Sequence, residues 1–335
     1  MKDNEYLVGV YYFAGWWREL PNKWFTNGHD WCPDYPGRAP LLGEYNEQKT
    51  MDKEIAAAAK YGVDFFQFLW YPILDPRPET HADKLNEGLR TFLASPNNGQ
   101  MRFTIEFVNH PPFSIATDEA WESACLLWCA AMKHPSYLRL DGRPVFKVHS
   151  MHHFLEQNGG DLGRVEKRLD VLKRIAKENG LQEPILGGGN ALDKNEARPY
   201  QFISTYMAVP DLPSKPELYP YDPLLKHAED SWLQCVAMTD KPCVPYVPAG
   251  WDPRPWKDPR PSFKMPTREE WLNALQRAKT ALDKENRLGI PLKRGRQKMF
   301  LIYAWNEFGE GGIVAPTKGE GYMKLEGIKA VFGKK

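Results

Sequence analysis

Cysteine is scarce in this chain. Five occur in 335 residues, at Cys32, Cys125, Cys129, Cys235 and Cys243, and none forms a C-x-x-C pair. That excludes a zinc knuckle and a disulfide framework. Cys125 and Cys129 share a helical face with Trp121, Trp128 and Met132 and read as core thiols. Neither sign of charge is in excess: 44 Lys+Arg stand against 43 Asp+Glu, a formal +1. The one basic cluster, 293–298, is a short polar turn, so a nucleic-acid partner is not expected. No apolar run approaches the ~20 residues that span a bilayer, so no transmembrane segment is expected. The N-terminus runs directly into 6–13, too short for a signal peptide and without a cleavage site. The reading allows a cytoplasmic protein, or a periplasmic or secreted one whose signal has been removed; it assigns no oligomeric state. H-E-x-x-H, an H-x-H at the end of the first strand, G-x-G-x-x-G and G-x-S-x-G are all missing. No metal, no cofactor and no serine-hydrolase triad is therefore expected.

Aromatic residues are plentiful: 12 Trp, 15 Tyr and 16 Phe make 13% of the chain, more than a core alone calls for. The remaining composition, 42% hydrophobic and 26% charged, is that of a soluble globular protein. Short β-branched or aromatic runs alternate with amphipathic ones. Strands are predicted over 7–13, 63–69, 101–108, 143–149, 184–187, 201–206, 243–247 and 299–305. Helices are predicted over 51–61, 82–93, 118–133, 161–179, 224–238, 267–286 and 322–331, with at most a turn or two near 194–198. Such alternation implies parallel pairing through right-handed crossovers. The fold expected is α/β: a (β/α)₈ TIM barrel, one domain over 1–335. Local signals agree. Thr267 with Glu270 is a capping box, Asn179-Gly180 closes a helix, and Asp141-Gly142 is a hairpin turn leading into the fourth strand. The βα loops are long, and rich in Trp, Tyr and Pro, after strands one, six and seven. In such barrels these loops gather at the face where active sites are built.

The sharpest local feature is Trp305-Asn306-Glu307-Phe308-Gly309-Glu310-Gly311-Gly312 at the end of strand eight. Glu307 and Glu310 sit three residues apart, and the glycines favour a turn that brings their α-carbons within ~5–6 Å. That separation suits the paired carboxylates of a glycosidase. Other strand ends supply Tyr11, Trp16, Trp70, Glu106, His149, Asn190, Tyr206 and Trp251. With Trp305 and Asn306 they are candidate substrate contacts, because sugars stack C–H faces on aromatic rings and take directed hydrogen bonds.

Several segments resemble the WbsX-type proteins, relatives of glycoside hydrolase family 99. They are Val10-Tyr11-Tyr12-Phe13-Ala14-Gly15-Trp16, Leu42-Gly43-Glu44-Tyr45, the stretches 61–68 and 137–146, and the W-N-E-x-x-E-G segment at 305–311. The resemblance spans nearly the whole chain in order. It implies a (β/α)₈ barrel and a retaining hydrolase acting on α-linked, mannoside-like oligosaccharides or polysaccharides. It also implies that Glu307 is the base on the sugar's own 2-hydroxyl and Glu310 the general acid/base, with a 1,2-anhydro sugar between them. Glu106 and Tyr206 match residues near the family's substrate. The chain departs from the family at Phe308, where a Trp is usual, and over 211–266. A polysaccharide-biosynthesis glycosyltransferase and a non-catalytic carbohydrate-binding barrel are the alternative readings.

Overall fold

The computed structural model describes residues 5–72, 82–190 and 193–333. The first residues of the N-terminus read above lie outside these. All eight candidate strands are present: β1 (Tyr6–Tyr12), β2 (Phe65–Trp70), β3 (Arg102–Phe107), β4 (Arg143–Val148), β5 (Ile185–Gly188), β6 (Phe202–Ile203), β7 (Tyr246–Pro248) and β8 (Arg296–Tyr303). They form one curled parallel sheet in the order β7-β8-β1-β2-β3-β4-β5-β6. An isolated parallel bridge pairs Ile203 of β6 with Cys243, just before β7, with Ile203 N donating to Pro242 O (2.9 Å) and Val244 N to Ile203 O (2.8 Å). The fold is TIM-like. β6 and β7 are shorter than predicted, because Pro242, Pro245 and Pro248 bring no N–H to the ladder.

Helices α1 (Gln48–Lys60), α2 (Glu87–Ala94), α3 (Asp118–Met132), α4 (Leu162–Glu178), α5 (Asp222–Thr239), α6 (Arg268–Lys284) and α7 (Met323–Phe332) follow the predicted order. On α3 the buried stripe Trp121, Cys125, Trp128, Cys129, Met132 repeats at helical spacing. Its Trp128 ring lies 5.1 Å from Trp70, 5.3 Å from Phe107 and 4.7 Å from Phe146, which seats α3 on the outer face of β2–β4. Each such fully buried side chain contributes roughly 1.5–3 kcal/mol. The capping box at Thr267 and Glu270 is formed, and the Asp141-Gly142 turn has both residues at positive φ, as a type I′ turn requires.

Two departures bear on the site. The helix predicted over 82–93 is broken at Asn86, whose side chain instead clasps the backbone of Tyr71: Tyr71 N donates to Oδ1 (3.0 Å) and Nδ2 donates to Tyr71 O (2.8 Å). A helix over Met151–Gln157, not predicted, follows β4, its N-terminus capped by Ser150. No helix among the described residues is long and apolar enough to cross a membrane.

Candidate active site

After β8 the chain folds back as a small hairpin, Asn306–Glu307 pairing with Gly312–Ile313. Glu310 N and Gly311 N both donate to Glu307 O, at 3.1 and 2.8 Å, so the two glutamates flank one tight turn. Gly311 holds φ +80°, open to glycine at no steric cost. Gly309 has a different reason: a Cβ there would fall 2.1 Å from the Trp256 indole. The hairpin is clamped to the end of β1. Trp305 N donates to Tyr11 O (2.7 Å), and the Asn306 amide takes Phe13 N (2.9 Å) while donating to Phe13 O (2.7 Å). Trp305 is fully buried and donates Nε1–H to Glu54 of α1 (2.8 Å). Asn306 and Trp305 thus orient the hairpin from behind.

Glu307 and Glu310 open into one cleft of ≈ 240 Å³. Phe13 and Lys23 wall it from the loop after β1, Leu69 and Tyr71 from the end of β2, and His110 and Phe113 from the loop after β3. His149, Tyr206 and Trp256 complete it from the chain after β4, β6 and β7. Tyr206 Oη donates to Glu307 Oε1 (2.6 Å), and Glu307 Oε2 is buried without a partner. Burial pushes the Glu307 carboxyl up to about 7, against smaller downward pulls from the Tyr206 hydrogen bond and Lys23. Glu310 accepts from Tyr303 Oη, and Arg260 stands 3.8 Å from its Oε1. Burial raises this carboxyl to about 7 as well; Arg260 and Lys23 oppose the rise and Asp258 adds to it.

Beneath the cleft, Glu106 sits in the sheet interior with no exposure. It accepts from Lys147 Nζ (3.0 Å), from His149 Nδ1 (2.6 Å) and from Gln67. Burial alone would raise its carboxyl, but Lys147, His149 and Gln67 outweigh burial and hold it down to about 2. An ionised Glu106 fixes the proton of His149 on Nδ1, leaving Nε2 as the ring's other polar atom on a side chain that lines the cleft. Lys147 also reaches Tyr11 Oη (3.1 Å). Tyr11 and Glu106 therefore lie below the floor rather than in it.

Of the candidate contacts, the structure brings His149 and Tyr206 to the cleft with the two glutamates, and not the others. Trp70 faces away, against α3. Trp251 is buried beneath the Arg260 guanidinium (4.4 Å) and beside the Tyr303 ring (6.0 Å). Trp16 is buried in the loop after β1, where it stacks on Trp256 with ring centres 6.1 Å apart. Asn190, at φ +53°, turns the chain after β5 and does not line the cleft. These indoles are too large to leave in water, and they build the loops that shape the cleft. Among the described residues no three His, Cys, Asp or Glu side chains converge as a metal-ligand set.

No family model and no curated protein matches this sequence. Solved structures do match in shape. A glycoside hydrolase-like protein superposes at TM-score 0.66, with 15% identity over 99% of this chain and 95% of its own. The GH99 endo-α-mannosidase from Bacteroides thetaiotaomicron superposes at TM-score 0.58, with 15% identity over 94% of this chain and 89% of its own. The same enzyme in complex with bis-tris propane gives 0.55. The chain shares their fold.

Several residues of the site carry no local sequence signal. Tyr303 is an ordinary strand residue until the hairpin returns Glu310 to it. Arg260, Asp258 and Trp256 belong to a proline-rich loop whose course no pattern predicts; a Trp among prolines in a βα loop is the one local signal that points to Trp256. Arg38 binds Asp252 across loops 214 residues apart in sequence, and only the folded chain shows it.

Proposed function

We propose that this chain is a retaining glycoside hydrolase acting on α-linked, mannoside-like glycans, with one barrel domain over 1–335. What carries the reading is that two carboxyls, Glu307 buried and Glu310 half-buried, both raised to about 7 by desolvation, share one cleft at the end of the eighth strand. Such a pair divides into a base and an acid at neutral pH. Glu307 is the base. Tyr206 holds one of its oxygens, and the other is buried without a partner, free to take the proton of the sugar's 2-hydroxyl. O2 then attacks C1 from the face opposite the aglycone. The C1–O bond to the aglycone breaks as Glu310 gives its proton to the departing oxygen, leaving a 1,2-anhydro sugar. Glu310, now a carboxylate, takes a proton from water as the water oxygen attacks C1. The C1–O2 bond opens and O2 recovers its proton from Glu307. Two inversions return the original anomeric configuration.

The test is turnover of defined α-linked oligosaccharides with the first-formed anomer followed by NMR. Retained product supports the reading; inverted product, or no release from any α-linked glycan, overturns it. The pH profile is a second check. Glu307 must be ionised and Glu310 protonated, and the pair titrates near 7, so kcat/KM is expected to fall on both sides of about pH 7. In Tyr206→Phe the hydrogen bond that favours the Glu307 carboxylate is lost. At roughly 1.5–3 kcal/mol for a hydrogen bond to a charged group, the ascending limb should move up by about one to two pH units. A limb that stays in place would show that Tyr206 does not tune the base.

A further inference from the structure

Lys23 is an exposed cation at the wall of the cleft, close enough to Glu307 and Glu310 to pull both carboxyls down but paired directly with neither. Its backbone is fixed: N donates to Gly15 O (3.1 Å), and its carbonyl accepts Nε1–H from Trp256 (3.1 Å) and from Trp31 (2.9 Å). Its ammonium lies 5.8 Å from the centre of the same Trp256 ring. Residue and indole are thus held together at the wall that faces Glu307 and Glu310. Among the described residues Lys23 forms no ion pair. The neighbouring cation is different. Arg260 is engaged in a two-pronged bond to Asp258, with Glu310 3.8 Å away. The remaining polar groups facing the cleft are His110, His149, Tyr71 and Tyr206. His110 is held neutral at ordinary pH, its ring lowered to about 4 by burial and by His149.

A cleft wall on which an indole and an ammonium outside any direct ion pair stand together fits a sugar that carries a negative charge. We propose that the cleft takes a glycan bearing an anionic substituent, the carboxylate of a uronic acid or a sulfate ester, on the sugar that lies against the wall formed by Lys23 and Trp256, with Lys23 Nζ as its counter-charge. This rests on the glycosidase reading and names the substrate class for that site.

The experiment compares kcat/KM on matched α-linked oligosaccharides that differ only in one sugar: neutral, carboxylated or sulfated. Wild type should prefer an anionic member over the neutral one by about tenfold at low salt, the worth of one charge-assisted contact, and lose that preference as salt rises. In Lys23→Gln the anionic-to-neutral ratio should fall by about tenfold, and Lys23→Arg should restore it. The carboxylated and sulfated arms tell the two anions apart. A ratio unchanged in Lys23→Gln, or a wild type that favours the neutral member, overturns this inference and leaves the glycosidase reading standing. No turnover of any member overturns that reading, and this inference with it.

Discussion

Glu310→Gln is expected to lower kcat/KM on an α-linked glycan by about 10²–10⁴-fold, the usual worth of a positioned general acid. The loss should depend on the leaving group. A nitrophenolate departs without a proton, so on an activated aryl glycoside the first step survives and the deficit shrinks. Glu307→Gln removes the base that generates the internal nucleophile and should be equally damaging on both substrates. The contrast between the two variants, read from steady-state kinetics, separates the roles; equal rates for wild type and Glu310→Gln would end the assignment of acid/base. Misfolding is not expected to confuse the result. Each carboxyl is raised in the folded protein, so each disfavours the folded state as pH climbs from the unfolded value of about 4.5 through 7. Above pH 7 that cost is fully present, on the order of 3 kcal/mol for each. Glutamine removes it, so both variants should unfold no sooner than wild type at pH 8 and gain much less at pH 5. A thermal melt at the two pH values checks this.

The parts of the site legible in the sequence are those encoded within a few residues. Glu307 and Glu310 stand out because the motif supplies both acids and the glycines that turn the chain between them. The alternation of strands and helices shows where that motif sits, since periodicity survives even where β6 and β7 are cut short by proline. The tryptophans mislead for a physical reason. A strand-end indole is as useful for holding a loop down as for holding a sugar, and neighbours remote in sequence decide which. Trp70 turns outward because α3 offers it Trp128, and Trp251 is covered by Arg260. Lys23 shows the converse. Nothing around it in the sequence marks it, and its place comes from a hydrogen bond to an indole 233 residues away.

The same long-range logic makes Asp252 the most vulnerable single position behind the site. Arg38, in the loop after β1, has a side chain only 11% exposed. It donates to Asp252 Oδ2 (2.5 Å), to Asp252 O (3.0 Å) and to Phe308 O (2.8 Å), while Tyr35 covers its guanidinium at 4.7 Å. Arg254 takes the Asp252 carboxylate from the other side, at 2.6 and 2.9 Å. Asp252 N donates to Glu310 O (2.6 Å). The Asp252 carboxylate therefore ties the loops after β1 and β7 together, while its backbone N–H and the Arg38 it holds bind the hairpin that carries both glutamates. Asp252→Asn would leave two guanidinium groups facing each other without a counter-charge, one of them buried. The cost expected is about 3–5 kcal/mol, that of breaking a buried ion pair from one side. Arg38→Met should cost less, since Arg254 still neutralises Asp252, although Phe308 O loses its donor. Arg254→Met removes a half-exposed partner and should cost about 1 kcal/mol or less. Denaturant unfolding would give this order directly. Because the brace holds Glu310 and not the sugar, surviving Asp252→Asn protein should lose kcat in larger proportion than it gains KM. Equal destabilisation by Asp252→Asn and Arg254→Met would mean that Arg38 does not depend on the carboxylate, and that the loops are joined by packing alone.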